Sequence, residues 1–371
     1  MRFDKLAALI SLAVFCLLGL GLAAPDAHAA GKKLRVVFVL LESIDDHGWN
    51  TAHHDGIEHL KRQLGDRVEV SFIENVAEPG QAERVFRECA SQGYDLIFGT
   101  TFSHMDPLYK VAGEFPKTTF MHCAGFKTRP NMGTYMVRME QSEYLAGYMA
   151  GLMGFKNVGT VATMPIPEVV RGINAFTLGL LRGLKESKTP HNTARVNTIV
   201  WLNSWRAAAS ETAQAERLAA SGHDLIREMA DTSDSSKAAC RKGVPAIGYG
   251  TDSVKYGAAC TLTSTTFEWG PLYVDTVKAV LDGTWKSGDV FTGFEAGSIA
   301  LSPFGTAVPK AVAAKVLALK AEMAAGNDMS FAGPIRDQTG EERVKPGEKV
   351  SDKELLSMLW FVRGVTGTVP R

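Results

Sequence analysis

Leu34-Arg35-Val36-Val37-Phe38-Val39-Leu40-Leu41 is a nearly continuous apolar run interrupted by one charge. Such a run predicts a strand buried on both faces of a parallel sheet. The chain beyond it alternates in the same sense. A helix is expected from about Thr51, with Ile57, Leu60 and Leu64 on one stripe and Gly65 as its stop. Strand Val68 to Ile73, helix Gln81 to Ser91, strand Asp95 to Phe98, helix Pro107 to Glu114 and strand Thr118 to Cys123 complete a first series. Strand–helix units repeated this regularly read as a doubly wound α/β sheet.

A second series begins after Glu140: helix Ser142 to Met153, strand Val158 to Met164, helix Glu168 to Lys185 and strand Arg195 to Trp201. Helix Ala207 to Ala220, strand Asp224 to Met229, a short helix near Ser235 and strand Val244 to Ile247 extend it. Strand Ala259 to Thr263, helix Trp269 to Leu281, strand Ser298 to Leu301 and helix Lys310 to Ala325 come after, so the chain is expected to cross between its halves more than once. The organisation predicted is an α/β protein of two doubly wound lobes with a hinge. Residues 30–140 plus about 265–295 form one lobe, and 141–264 plus about 296–371 the other. Two such lobes can place the carboxyl ends of both sheets at one cleft.

Residues 1–29 read as a signal peptide: Arg2 and Lys5, an uncharged apolar stretch from Leu6 to Leu22, Pro25, then Ala27-His28-Ala29 before the expected cleavage. Cys16 follows the bulky Phe15, which disfavours lipid anchoring and leaves the periplasm as the expected location. Lys+Arg and Asp+Glu both number 40, so no nucleic-acid partner is expected. The cysteines beyond the signal lack CxxC spacing. Cys240 and Cys260 flank one strand unit, and either a disulfide or two buried thiols would suit them.

Binding residues are sought just past the strand ends. Trp49 opens a helix where core packing would not need an indole, and Asn50 beside it offers both a donor and an acceptor. Phe102 follows the third strand, Trp205 and Asp231 follow two strands of the second series, and Asp252 follows another. Aromatic rings on both lobes with carboxylates and an amide suit a flat, hydrogen-bonding heterocycle.

The segments Gly48-Trp49-Asn50, Glu143-Tyr144-Leu145-Ala146-Gly147, Asn174-Ala175-Phe176, Gly248-Tyr249-Gly250-Thr251-Asp252 and Leu262-Thr263-Ser264 resemble, in order, the basic-membrane-protein family. The resemblance spans nearly the whole chain after the signal. It implies a substrate-binding component of an ABC importer with a type I periplasmic-binding fold, and a purine-type ligand stacked between aromatics of the two lobes. Trp49 and Trp205 then resemble the two stacking aromatics, Asn50 a neighbouring polar contact, and Asp252 the acidic residue after a later strand. Many nucleoside-binding members carry an Asp after the fourth strand, where this chain has His122-Cys123-Ala124-Gly125. A free base such as adenine is therefore as good a candidate as a nucleoside. The expected partners are that ligand and a membrane permease; the protein is expected to be a monomer without cofactor or metal and not an enzyme.

Other chemistries find little support. His47, His53, His54 and His59 crowd one segment, but no HExxH occurs. Gly248-Tyr249-Gly250 lacks the third glycine of a dinucleotide fingerprint, and neither GxxxxGK[ST] nor GxSxG is present. Two alternatives stay open: a periplasmic nucleoside hydrolase using Asp231 or Asp252, and a sensory module for a receptor.

Overall fold

The structure, a computed structural model, describes residues 32–370; the expected export signal and Cys16 lie outside them. Leu34–Val39 forms β1. Its side chains alternate between two cores. Val36 and Phe38 share one with Leu60, Trp269 and Tyr273, while Val37 and Val39 share another with Phe86, Leu108 and Val111. Both faces of the strand are covered, which is what its unbroken apolar run requires.

The first series continues as α1 (Trp49–Leu64), β2 (Val68–Ile73), α2 (Pro79–Ser91), β3 (Leu96–Gly99), α3 (Met105–Glu114), β4 (Thr119–Cys123) and β5 (Met132–Val137). The second is α4 (Met139–Leu152), β6 (Val158–Ala162), α5 (Pro167–Glu186), β7 (Arg195–Trp201), α6 (Ala208–Ala220), β8 (Leu225–Met229), α7 (Asp234–Arg241), β9 (Ala246–Gly250) and β10 (Thr261–Phe267). After these come α8 (Trp269–Leu281), β11 (Asp289–Thr292), β12 (Ile299–Leu301) and α9 (Lys310–Ala324). The chain then forms β13 (Ile335–Arg336), β14 (Glu342–Val344), α10 (Asp352–Leu355) and β15 (Gly364–Thr366).

One sheet has the order β11-β5-β4-β3-β1-β2 and the other β12-β10-β9-β8-β6-β7-β15. All pairings in them are parallel except β10 with β12. In each sheet the order reverses beside the first strand of its series, β1 and β6. The loops leaving such a strand and its neighbour diverge and open a crevice at the carboxyl edge.

The chain passes between the sheets after β5, after β10 and after β11. The passages lie side by side: the Arg138 amide donates to the Thr292 carbonyl at 2.7 Å, and the Glu268 amide to the Ser298 carbonyl at 2.9 Å. Next to them, α4 and α5 meet backbone to backbone. A Cβ on Gly147 would stand 2.0 Å from the Phe176 carbonyl oxygen, and one on Gly179 2.0 Å from that of Tyr144. Only glycine permits this approach. The buried α4 also carries two carboxylates into the interior, each matched by a buried arginine: Glu140 with Arg171 at 2.9 Å and Glu143 with Arg227 at 2.8 Å.

The expected elements differ from the observed ones mainly at their ends. Helix α1 starts at Trp49 rather than Thr51, because the Asp46 carboxylate accepts from the amides of Gly48, Asn50 and Thr51 at 2.9, 2.7 and 2.9 Å. Strand β10 is Thr261–Phe267, later than the expected Ala259 to Thr263. Strands β5, β11 and β15 have no counterpart among the expected elements. Cys240 and Cys260 form a disulfide with Cα atoms 5.3 Å apart, tying the end of α7 to the segment before β10. Among the described residues no helix is long and apolar enough to cross a membrane.

Candidate ligand-binding site

The loop after β1 sets the geometry. Asp46 fixes it from within, and the backbone at His47 adopts a left-handed conformation with φ of 68°. This turn lifts His47 and Gly48 toward the loops of the other sheet. The Thr251 hydroxyl donates to the His47 carbonyl, and the His47 ring stacks on Tyr256 with centroids 4.1 Å apart. Gly48 meets the backbone of Asp231 directly.

Behind this closure lies a cavity at the carboxyl edges of both sheets. From the first come Leu41, Trp49, Thr101, Phe102 and Ala124. From the second come Thr163, Ile166, Glu168, Trp205, Asp231 and Tyr249. Its free volume is about 20 Å³, close to that of one water-sized sphere, so the two edges stand closed upon each other.

The aromatic walls are held differently. Trp49 is buried and its indole N–H donates to the Thr100 carbonyl at 2.9 Å, which fixes the ring and leaves its face as the contact surface. Phe102, in the turn after β3, is 44% exposed, and Trp205 is half-buried in the loop after β7. Two carboxylates complete the lining. Burial pushes the Asp231 carboxyl well above its usual range, and the charges of Asp46, Glu168, Glu211 and Glu42 push it further the same way. Burial also raises Glu168, with Arg171 opposing.

Four of the six residues singled out in the sequence, Trp49, Phe102, Trp205 and Asp231, line this cavity. The other two do not. Asn50 is 1% exposed and spent on its own loop: its Nδ2 donates to Asp46 at 2.8 Å and its Oδ1 accepts from the Glu42 amide at 3.3 Å. Asp252 caps a short 3₁₀ turn, accepting from the Val254 amide at 3.2 Å. Sequence reasoning misses Glu168 and Tyr249. Tyr249 lies within one of the family-like segments, and Glu168 follows the end of β6, where the loop Thr163 to Pro167 holds neither an aromatic nor an acidic residue to mark it.

Residues 33–321 match the Bmp family, described as "ABC transporter substrate-binding protein PnrA-like". A purine-binding protein of Brucella abortus is 38% identical over 346 residues, covering 93% of this chain and 96% of its own. A putative ABC transporter glucose-binding protein of Haloferax volcanii is 34% identical, covering 92% of this chain and 82% of its own. Among solved structures, an ABC transporter solute-binding protein from Conexibacter woesei superposes with a TM-score of 0.63 at 25% identity, over 79% of this chain and 97% of that one. One from Aeropyrum pernix gives a TM-score of 0.67 at 18% identity, over 85% and 94%. The fold is thus the type I periplasmic-binding fold, and the chain belongs to the Bmp family of PnrA-like ABC transporter substrate-binding proteins.

Proposed function

We propose that this chain is the periplasmic receptor of an ABC importer and that it captures a purine base in the cavity between its sheets. Residues 30–140 with about 265–295 act as one lobe, and 141–264 with about 296–371 as the other. The three adjacent passages serve as the hinge. The lobes separate to admit the ligand, close over it, and present the closed form to a membrane permease.

The observation that carries this reading is the cavity wall: Trp49 and Phe102 from one sheet face Trp205 and Asp231 from the other. Flat aromatic faces suit stacking on a heterocycle, and a carboxylate suits its N–H edge. Ala124 presents a methyl group to the cavity, so no carboxylate is available there for ribose hydroxyls, which favours a base such as adenine over a nucleoside. The Brucella relative's name agrees with a purine. The Haloferax relative's name supports a second reading, since stacked aromatics and carboxylates also hold sugars. The Cys240–Cys260 disulfide suits an oxidising compartment.

Thermal melting of the purified protein with adenine, guanine, hypoxanthine, adenosine, inosine, uracil and glucose tests the assignment. A ligand at about 100 times its Kd adds about 2.7 kcal/mol. Adenine or another free base should raise the melting temperature, and adenosine and uracil should not. A shift with glucose alone would replace the purine reading by the sugar one.

A further inference from the structure

Glu168 stands in the first turn of α5 and lines the cavity. One of its oxygens accepts from the Tyr249 hydroxyl at 3.3 Å; the other has no hydrogen-bond partner among the described residues. The nearest cation along the helix, Arg171, is already committed to Glu140 at 2.9 Å and to the Leu355 carbonyl at 3.1 Å. Asp231 faces the same space, and no hydrogen bond reaches its carboxylate among the described residues. The neighbours that raise Asp231 besides burial, Asp46, Glu168, Glu211 and Glu42, are acidic. The cavity therefore holds two acceptor-rich groups and no cation on its walls.

We propose that Glu168 is the specificity-determining partner of Asp231, and that together they select uncharged flat ligands bearing N–H donors over anionic ones. This rests on the reading of the cavity as a purine site. A buried carboxylate without a partner is costly, and an N–H donor placed on it relieves that cost. An anion of similar shape brings its own charge into a closed, poorly solvated space whose walls carry two carboxyl groups and no cation to balance it.

Titration calorimetry at pH 7.5 with adenine and with urate, a purine anion at that pH, tests the proposal on the wild type and on Glu168→Gln. The wild type should bind adenine at least about a hundredfold more tightly than urate. Glu168→Gln keeps the shape and one acceptor, so it should fold; it should weaken adenine by about ten- to a hundredfold and narrow the gap to urate. A wild type that binds urate as tightly as adenine overturns the proposal without reference to any variant. Unchanged affinities for both ligands in Glu168→Gln overturn it too, while leaving the purine site intact. Failure of the wild type to bind any of adenine, urate, guanine and hypoxanthine removes the purine reading and this proposal with it.

Discussion

A methyl group added to Gly48 would stand 2.5 Å from the carbonyl carbon of Asp231. The two residues belong to loops from different sheets, and the neighbour is backbone, which cannot swing aside. Gly48→Ala should therefore hold the two edges apart while leaving each sheet intact. A penalty of about 1.4 kcal/mol on the closed arrangement costs tenfold in apparent affinity. The expected result is ligand affinity at least tenfold weaker with a melting temperature of the unliganded protein near that of the wild type. Small-angle scattering with ligand present should give a larger radius of gyration than the wild type shows.

Three buried histidines predict a specific acid sensitivity. Burial holds His53 near a pKa of about 3, and His104 and His122 near about 4. His104 and His122 sit against the carbonyls of Val76 and Thr101 at 2.7 and 2.8 Å. Above pH 6.5 both native and unfolded chains carry these rings neutral. As pH falls below 6.5 the unfolded chain takes up protons that the native one refuses, so stability is lost down to the folded values. Buried Glu140, Glu143, Glu228 and Asp231 are shifted upward and act in the opposite sense, gaining stability as pH falls through their folded values. Comparing urea denaturation of the wild type and His104→Gln between pH 6.5 and 5.5 isolates one ring. The variant should lose about 1 kcal/mol less over that unit.

The Cys240–Cys260 bridge closes a loop of 20 residues of sequence separation. Chain-entropy arguments give such a loop about 3 kcal/mol of stabilisation. Replacing both cysteines by serine should lower the unfolding free energy by roughly that amount in denaturant titrations. The cavity lining contains neither cysteine, so ligand affinity should stay within about threefold of the wild type.

Removing Arg227 alone should be far worse than removing it with its partner. Arg227→Met leaves Glu143 buried with only the Thr265 hydroxyl, at 2.9 Å, to hold its charge. Breaking a buried pair in this way costs about 3–5 kcal/mol. The double variant Arg227→Met/Glu143→Gln should recover at least half of that loss, read by chemical denaturation.

The legibility of this molecule in its sequence follows a physical pattern. Strand β1 announces itself because both its faces are buried, and α1 because one stripe of it is. Strand β5 (Met132–Val137) lacks a break before α4, so its apolar residues merge with those of the helix. Strands β11 and β15 are short, and exist because Val290 and Val365 find partners on β5 and β7, information that is not local. The same division runs through the site. Trp49, Phe102, Trp205 and Asp231 could be placed because the carboxyl ends of parallel strands are where ligands gather. Asn50 and Asp252 share that address, but their side chains turn to local backbone and carboxylate partners, a choice decided by loop geometry. Glu168 is hidden for another reason: an acidic residue in the first turn of a helix is ordinary, and only the neighbouring Tyr249 and the opposite loops make it part of a wall.

Strand β15 covers the edge of β7 from more than a hundred residues further along the chain. Until that distant segment arrives, β7 presents a bare row of amides and carbonyls to whatever it meets. Completion of the second sheet is thus deferred until nearly all of the fold has emerged from the machinery that makes or moves it. A nascent form of this protein thus lacks one border of its second sheet for as long as residues 364–366 are withheld.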